Sequence, residues 1–434
     1  MVYLYNRVNI PIPQIRLEKP LCGKRHTVNH DISHNTIQTT APKAVKHTPV
    51  ELALLGLALI FFFAFPAILL GTPLSAELLT TLSLAAVILA PVFAARMAGG
   101  FRPILPYVLL LVLILFTFGT PLAVGLVAAF FAGLCLYAVL LSRYRSPLLG
   151  AIPLLAYALC LVITGSFTLS LLALGSLPAS LTLAFVLHKR QTRIGSIVRV
   201  TTVLLATLLV ALGAILFFSL GVRSVQELRA WIEQLRTSLI GFTMDALTTA
   251  LQTVGSQLSE EADSLLGISP ATMEQYVTLT VTYVFNLAPA IAVLLANLVS
   301  FASHSLGTVL YMASGEVSAE DARRMHLFRM STASAVIFYV CLLPSLLLTD
   351  EYAYLGNAAL NLSLIVAPGL CLTAFVFIRM MMASKGPSCL ASLLYFAFLI
   401  LLFTLPYQTL TVCAFAGGVI LIRQSILDRK SGKR

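Results

Sequence analysis

From residue 52 onward, apolar runs of about 17 to 25 residues follow one another, separated by short polar joints. At about 1.5 Å per residue, a helix of that length crosses a hydrocarbon core about 30 Å thick. Period-two alternation is absent, which excludes a β-barrel. The pattern predicts an all-α fold, a polytopic transmembrane helix bundle of about twelve spans. These spans are drawn at 52–72, 78–95, 104–118, 121–141, 147–164, 166–187, 198–220, 276–303, 330–348, 355–378, 389–404 and 407–422.

Three stretches fall outside that rhythm. Residues 1–50 carry Pro11, Pro13, Pro20, Pro42 and Pro49 among scattered charges, with no period that could build a core, and are expected to be a disordered basic cytoplasmic tail. Residues 423–434 form a second basic tail. Between the seventh and eighth spans, residues 221–275 hold Val225, Leu228, Ile232, Leu235, Leu239 and Phe242 at alternating steps of three and four, the mark of a helix with one apolar face. Trp231 lies on its shoulder. This amphipathic segment is expected to be extracytoplasmic, resting on the bundle ends or the membrane interface, or acting as a lid over an outward-facing site.

Composition sharpens the reading. With 59% hydrophobic residues, 10% charged residues and a mean hydropathy of +0.95, the 434-residue chain has too little polar surface to cover a water-soluble globule. Its net charge of +11 would suggest nucleic acid in a soluble protein, but here the cations sit at span ends. With the spans as drawn, 25 of the 28 Lys and Arg fall on one side, which the positive-inside rule makes cytoplasmic. Only Arg223, Arg229 and Arg236 fall on the other. Both termini are therefore expected in the cytoplasm of a bacterial inner-membrane protein whose first partner is the lipid bilayer, with no nucleic acid.

Interior prolines at Pro66, Pro91, Pro153, Pro178, Pro289, Pro344 and Pro368 predict kinks, which suit a cavity. Ionisable side chains are confined to span ends: Glu51, Glu77, Asp350 and Glu351 all sit where water reaches. That argues against a pump with a buried carboxylate. The polar candidates for contact with a small solute are Asn286, Asn297 and His304 on the eighth span and Asn357 and Asn361 on the tenth; of these, Asn286, Asn297, His304 and Asn361 form the candidate binding set. Asn286 and Asn297 are about three turns apart and share a face, with Pro289 between them. The plainer role for such residues is hydrogen bonding between helices.

Gly125, Ala129 and Gly133 recur every fourth position, a spacing that lets two helices approach closely, within the chain or against a partner subunit. Cys22, His26, His30 and His34 share that spacing in the tail and would line one face of a helix able to hold zinc or copper, but poor helix formers separate them. No metal or cofactor is expected. The seven cysteines show no CxxC pair, and no cleavable signal peptide, P-loop, HExxH or GxSxG is present, so an enzyme is not expected.

Residues 225–425 carry an amphipathic helix, then a long span with Asn286-Leu287-Ala288-Pro289, then a basic joint ending Arg323-Arg324 and Phe328-Arg329, then another span. In this order of features the chain resembles the YybS-like family of bacterial polytopic membrane proteins. That family has no established activity; it is held to be distantly similar to the substrate-binding S components of energy-coupling-factor transporters. The resemblance implies small-solute binding without an ATPase in the chain, and energy-coupling proteins as partners. The alternative is a non-transporting scaffold for cell-envelope or division machinery.

Overall fold

The computed structural model describes residues 48–73, 75–118, 120–144, 146–255, 270–313, 315, 317–326, 328, 330–348, 352–385 and 406–430. The described residues are helical throughout, with no strand. Thirteen helices suffice to describe the architecture. They are α1 (Pro49–Gly71), α2 (Ala76–Ala98), α3 (Leu105–Phe118), α4 (Pro121–Tyr144), α5 (Ala151–Thr164), α6 (Leu177–His188), α7 (Arg193–Ala214), α8 (Val225–Gly255), α9 (Pro270–Ala313), α10 (Ala319–His326), α11 (Thr332–Leu347), α12 (Ala353–Lys385) and α13 (Pro406–Lys430). Among the described residues, eight helical stretches are long and apolar enough to cross a membrane, and 148–164 and 332–347 are shorter apolar helices. The expected span at 389–404 and the metal candidates of the tail lie outside the described residues.

Local chemistry explains where several helices start and stop. Thr48 and Glu51 form a reciprocal capping box at the start of α1, with Pro49 in the first turn. Ser224 and Glu227 repeat the device on α8: the Glu227 amide donates to Ser224 Oγ at 3.2 Å, and the Ser224 amide donates to the Glu227 carboxylate at 3.1 Å. The left-handed Gly99 ends α2 and the left-handed Gly165 ends α5. These signals are legible in T-x-x-E and S-x-x-E, although hydropathy alone does not reveal them.

Two prolines expected inside helices are instead placed near helix starts. Pro178 lies in the first turn of α6, and Pro153 is the third residue of α5. The missing amide costs nothing there, because the first turn has no acceptor for it. The span expected at 166–187 is correspondingly broken into a turn at Phe167–Ser170, a 3₁₀ turn at Leu171–Leu174 and then α6. Pro66, Pro91, Pro289, Pro344 and Pro368 do sit inside helices. The span drawn from 198 begins earlier, at Arg193, so Arg193 and Arg199 belong to the first turns of α7.

Two cores organise the chain. In the larger, α4 is central and packs against α1, α2, α3, α6 and α9. Its small residues make this possible: a Cβ at Gly125 would come within 2.8 Å of the Ser83 Cα on α2, and Ala129 is fully buried. The stripe at 125, 129 and 133 is thus packed within the chain. Tyr137 sits edge-on to Phe63 with ring centroids 5.3 Å apart and donates to the Leu149 carbonyl at 3.1 Å, so its hydroxyl is satisfied among apolar neighbours. The smaller core gathers Ala335, Phe338, Ala367, Leu370, Ala414 and Leu421 from α11, α12 and α13.

The long helix α9 belongs to both regions. Its 44 residues would extend about 66 Å, roughly twice a hydrocarbon core, so the helix continues beyond the 276–303 drawn from hydropathy. Leu306, Leu310 and Tyr311 enter the larger core, and further towards its start α9 packs against α8 and α12. Large apolar side chains cover much of the outer surface, among them Leu57, Ile88, Val162, Leu209, Val210, Leu295 and Leu347, as expected where lipid is the solvent.

Candidate functional site

The four residues expected to meet a solute all lie on α9 or against it, at separate levels. At the first level, the Asn361 carboxamide on α12 spans the helical turn containing Pro289. Its Nδ2 donates to the Asn286 carbonyl at 2.8 Å and to the Asn357 carbonyl at 2.9 Å, and its Oδ1 accepts from the Ala290 amide at 3.1 Å. Residues 286 and 290 are the carbonyl and amide that face each other across one turn of a regular helix. Pro289 crowds that turn, and the side-chain amide braces it from the neighbouring helix. Both donors of Asn361 are thereby used. The Asn286 side chain itself is exposed, so the structure joins the two residues through the backbone of one.

About 16 Å further along α9 lies Asn297. Its Oδ1 accepts from the Thr201 hydroxyl of α7 at 2.9 Å, and the same hydroxyl lies 2.9 Å from Ser300 Oγ and 3.4 Å from the Ala296 carbonyl. One turn on, the fully buried Ser303 leads into His304, whose Nε2 lies 3.1 Å from the Met325 carbonyl of α10 and 3.4 Å from Thr308 Oγ1. Across from them on α7, Ser196 is fully buried and Arg193 is nearly so, its guanidinium stacked 5.1 Å from the Phe301 ring centre. The hydroxyls of Ser196 and Ser303 have no hydrogen-bond partner among the described residues.

The result is a polar seam between α7 and α9. The residues missed by sequence reasoning are Thr201, Ser300, Thr308, Ser196 and Arg193. A signal for part of this set existed: Asn297, Ser300, His304 and Thr308 recur at helical steps of three and four, a polar stripe on an otherwise apolar helix. What no pattern could supply is the facing helix.

Short α10 sits over the end of this seam. Met325 is completely buried in the larger core, and the Ser318 hydroxyl accepts from the Asp321 amide at 3.1 Å to cap the helix start. Asp321 also pairs with Arg190, which ends α6 in a left-handed conformation. A separate ion pair joins Arg96 at the end of α2 to Glu51 at the start of α1, with a 3.0 Å bond from Arg96 Nε. Both pairs are partly exposed, so each contributes at most about 1 kcal/mol; their value here is geometric.

The Glu227 carboxyl at the start of α8 is held below the ordinary carboxylate range, first by the Arg223 amide at 2.6 Å and then by the Ser224 amide. A cleft of about 230 Å³ opens between α11 and α13, lined by Met330, Ser331, Thr332, Leu421, Gln424 and Ser425, away from the seam. Among the described residues, no group of three or more His, Cys, Asp or Glu is placed to hold a metal ion. Comparison with protein-family models, with curated proteins and with solved structures gives no match to this chain.

Proposed function

We propose that this chain is a multi-pass inner-membrane protein that binds or passes a small polar solute along the α7–α9 seam without an ATPase of its own. The observation that carries the reading is the seam itself. Two fully buried hydroxyls, Ser196 and Ser303, stand without partners beside the Thr201, Asn297 and Ser300 cluster. Leaving such groups unsatisfied costs about 1–3 kcal/mol each, and water or solute polar atoms would offset it. The YybS-like resemblance, carried by Asn286-Leu287-Ala288-Pro289 and the basic joint after α9, agrees with solute binding and with energy-coupling proteins as partners.

The orientation proposed is twelve crossings with both termini cytoplasmic. It is supported by the Arg96–Glu51 and Arg190–Asp321 pairs, each of which joins two chain segments assigned to the cytoplasmic side. Single cysteines introduced at Thr201, Ser300 and Ser303 in a cysteine-free background test the seam, with small hydrophilic thiol reagents applied to membrane vesicles of either orientation. Labelling of these positions from the cytoplasmic face is expected. If they stay inert while a cysteine at Arg324 labels, the seam carries no solute.

A scaffold for envelope or division machinery is the second reading, favoured by α8, a 31-residue helix that exposes Val225, Ile232, Leu235, Leu239 and Phe242. Crosslinking from α8 to envelope proteins, with seam substitutions silent, would select it.

A further inference from the structure

The start of α7 faces the seam with positive potential. Thr192 precedes this 22-residue helix in an extended conformation, but its side chain caps no amide, so the first-turn N–H groups receive no acceptor from it. Those amides and the aligned helix dipole leave partial positive charge at that end. Arg193, the first residue, is buried, and its guanidinium reaches the Phe301 ring on α9. The two seam helices add little negative charge: α7 carries no Asp or Glu, and α9 has only Glu274, near its start. On α10, Asp321 is paired with Arg190.

The hydroxyls supply an independent observation. Thr201 meets Asn297 and Ser300, while the earlier Arg193 meets the later Phe301, so α7 and α9 run antiparallel. From the Thr201 contact, Ser196 lies about 7.5 Å back along α7 and Ser303 about 4.5 Å onward from Ser300 along α9, which brings the two towards one level. Side chains on a helix tilt towards its start, and this turns the Ser196 hydroxyl towards the first-turn amides. Both hydroxyls are fully buried and have no hydrogen-bond partner among the described residues. Hydroxyls with a hydrogen to give, beside a guanidinium and a helix start, suit an anion, whereas a cation there would meet charge of its own sign.

We propose that the end of the seam at the start of α7, with Arg193, Ser196 and Ser303, binds a small monovalent anion of the size of chloride. The inference rests on the seam being a solute route and names the class of that solute. Neither hydroxyl has surface open to water, which favours a bare ion over a bulky organic anion. Hydroxyl and amide donors replace the hydration shell that the ion leaves behind, and Arg193 offsets its charge.

The test follows amide hydrogen exchange of the full chain in lipid nanodiscs, in sodium chloride and in sodium gluconate of equal ionic strength. Protection of residues 193–200 should rise saturably with chloride; at about ten times the apparent Kd the gain should be about tenfold. Peptides from α4 should not change. Ser196→Ala and Arg193→Gln should each abolish the gain, with Ser303→Ala as the further variant where Arg193→Gln fails to fold. Equal protection in chloride and gluconate overturns the proposal, as does a gain shared by α4 or kept in the variants. If chloride has no effect while the cysteines at Thr201, Ser300 and Ser303 label, the seam still carries solute and only the anion assignment falls. If those cysteines stay inert as well, the seam reading fails with it.

Discussion

Asn361 donates to the carbonyl of Asn286 at 2.8 Å from a different helix, and with its oxygen takes the amide of Ala290 one turn on. A single side chain therefore braces the turn that Pro289 crowds, joining the three-helix core of α11–α13 to the long helix. Replacing Asn361 by Leu should destabilise the fold by about 1–3 kcal/mol, because backbone groups at the kink lose their partner where lipid offers none. In a Pro289→Ala background the same change should cost less, since residues 286 and 290 can then bond to each other. A double-mutant cycle by detergent unfolding measures the difference; equal costs in both backgrounds would separate the brace from the proline.

On α4, Gly125 and Gly133 look alike in sequence but differ in surroundings. A Cβ at Gly125 meets the Ser83 backbone at 2.8 Å, whereas at Gly133 its nearest neighbour, the Phe62 Cβ, is 3.8 Å away. Gly125→Ala should destabilise by about 1–3 kcal/mol through overpacking. Gly133→Ala should be neutral or stabilising by up to about 1 kcal/mol, from helix propensity. Thermal unfolding in detergent of the two variants decides it, and the opposite order would mean α2 and α4 are not in this contact.

The closure of the seam by α10 rests on burial more than on charge. Met325→Ala should cost about 2–5 kcal/mol, because it empties a fully buried site. Asp321→Asn removes a partly exposed ion pair and should cost no more than about 1 kcal/mol. Amide hydrogen exchange across 317–326 should rise strongly in the first variant and slightly in the second.

Glu227 makes the start of α8 acid-sensitive. Its carboxyl titrates below the ordinary range in the folded protein, so the capping contribution is complete above about pH 4.3, the usual glutamate value, and disappears as pH falls through the folded one. Protection of the amides at residues 224–228, taken as the exchange rate relative to the intrinsic rate at each pH, should therefore fall on acidification. Glu227→Ala should show little protection at neutral pH and little further loss of it in acid.

Much of this protein is written in one dimension. The apolar runs locate α1, α2, α4, α7, α9, α11, α12 and α13 to within a few residues at most ends. Larger differences lie where polar residues continue a helix, as at both ends of α9 and the last turns of α12 and α13. Hydropathy stops at a polar residue, but a helix stops only where its backbone bonds do, as at Gly315, which turns left-handed just beyond α9. Asn286, Asn297, His304 and Asn361 were legible as candidates because polar side chains stand out on apolar helices. Their partners were not, because Thr201 lies 96 positions from Asn297 and Asn361 lies 71 from Ala290.

The chain's own pattern determined that it is helical, rich in helices able to cross a membrane, and basic at the joints it assigns to one side. Each of those properties follows from residues within a turn or a span of one another, where the cost of placing a polar group in lipid acts locally. Only the tertiary structure decided that Asn361 braces a proline turn and that α7 and α9 share a polar seam. Those pairings depend on which helix faces come together, and helix packing is selected by the fit of small and large side chains across the contact, which no local stretch encodes.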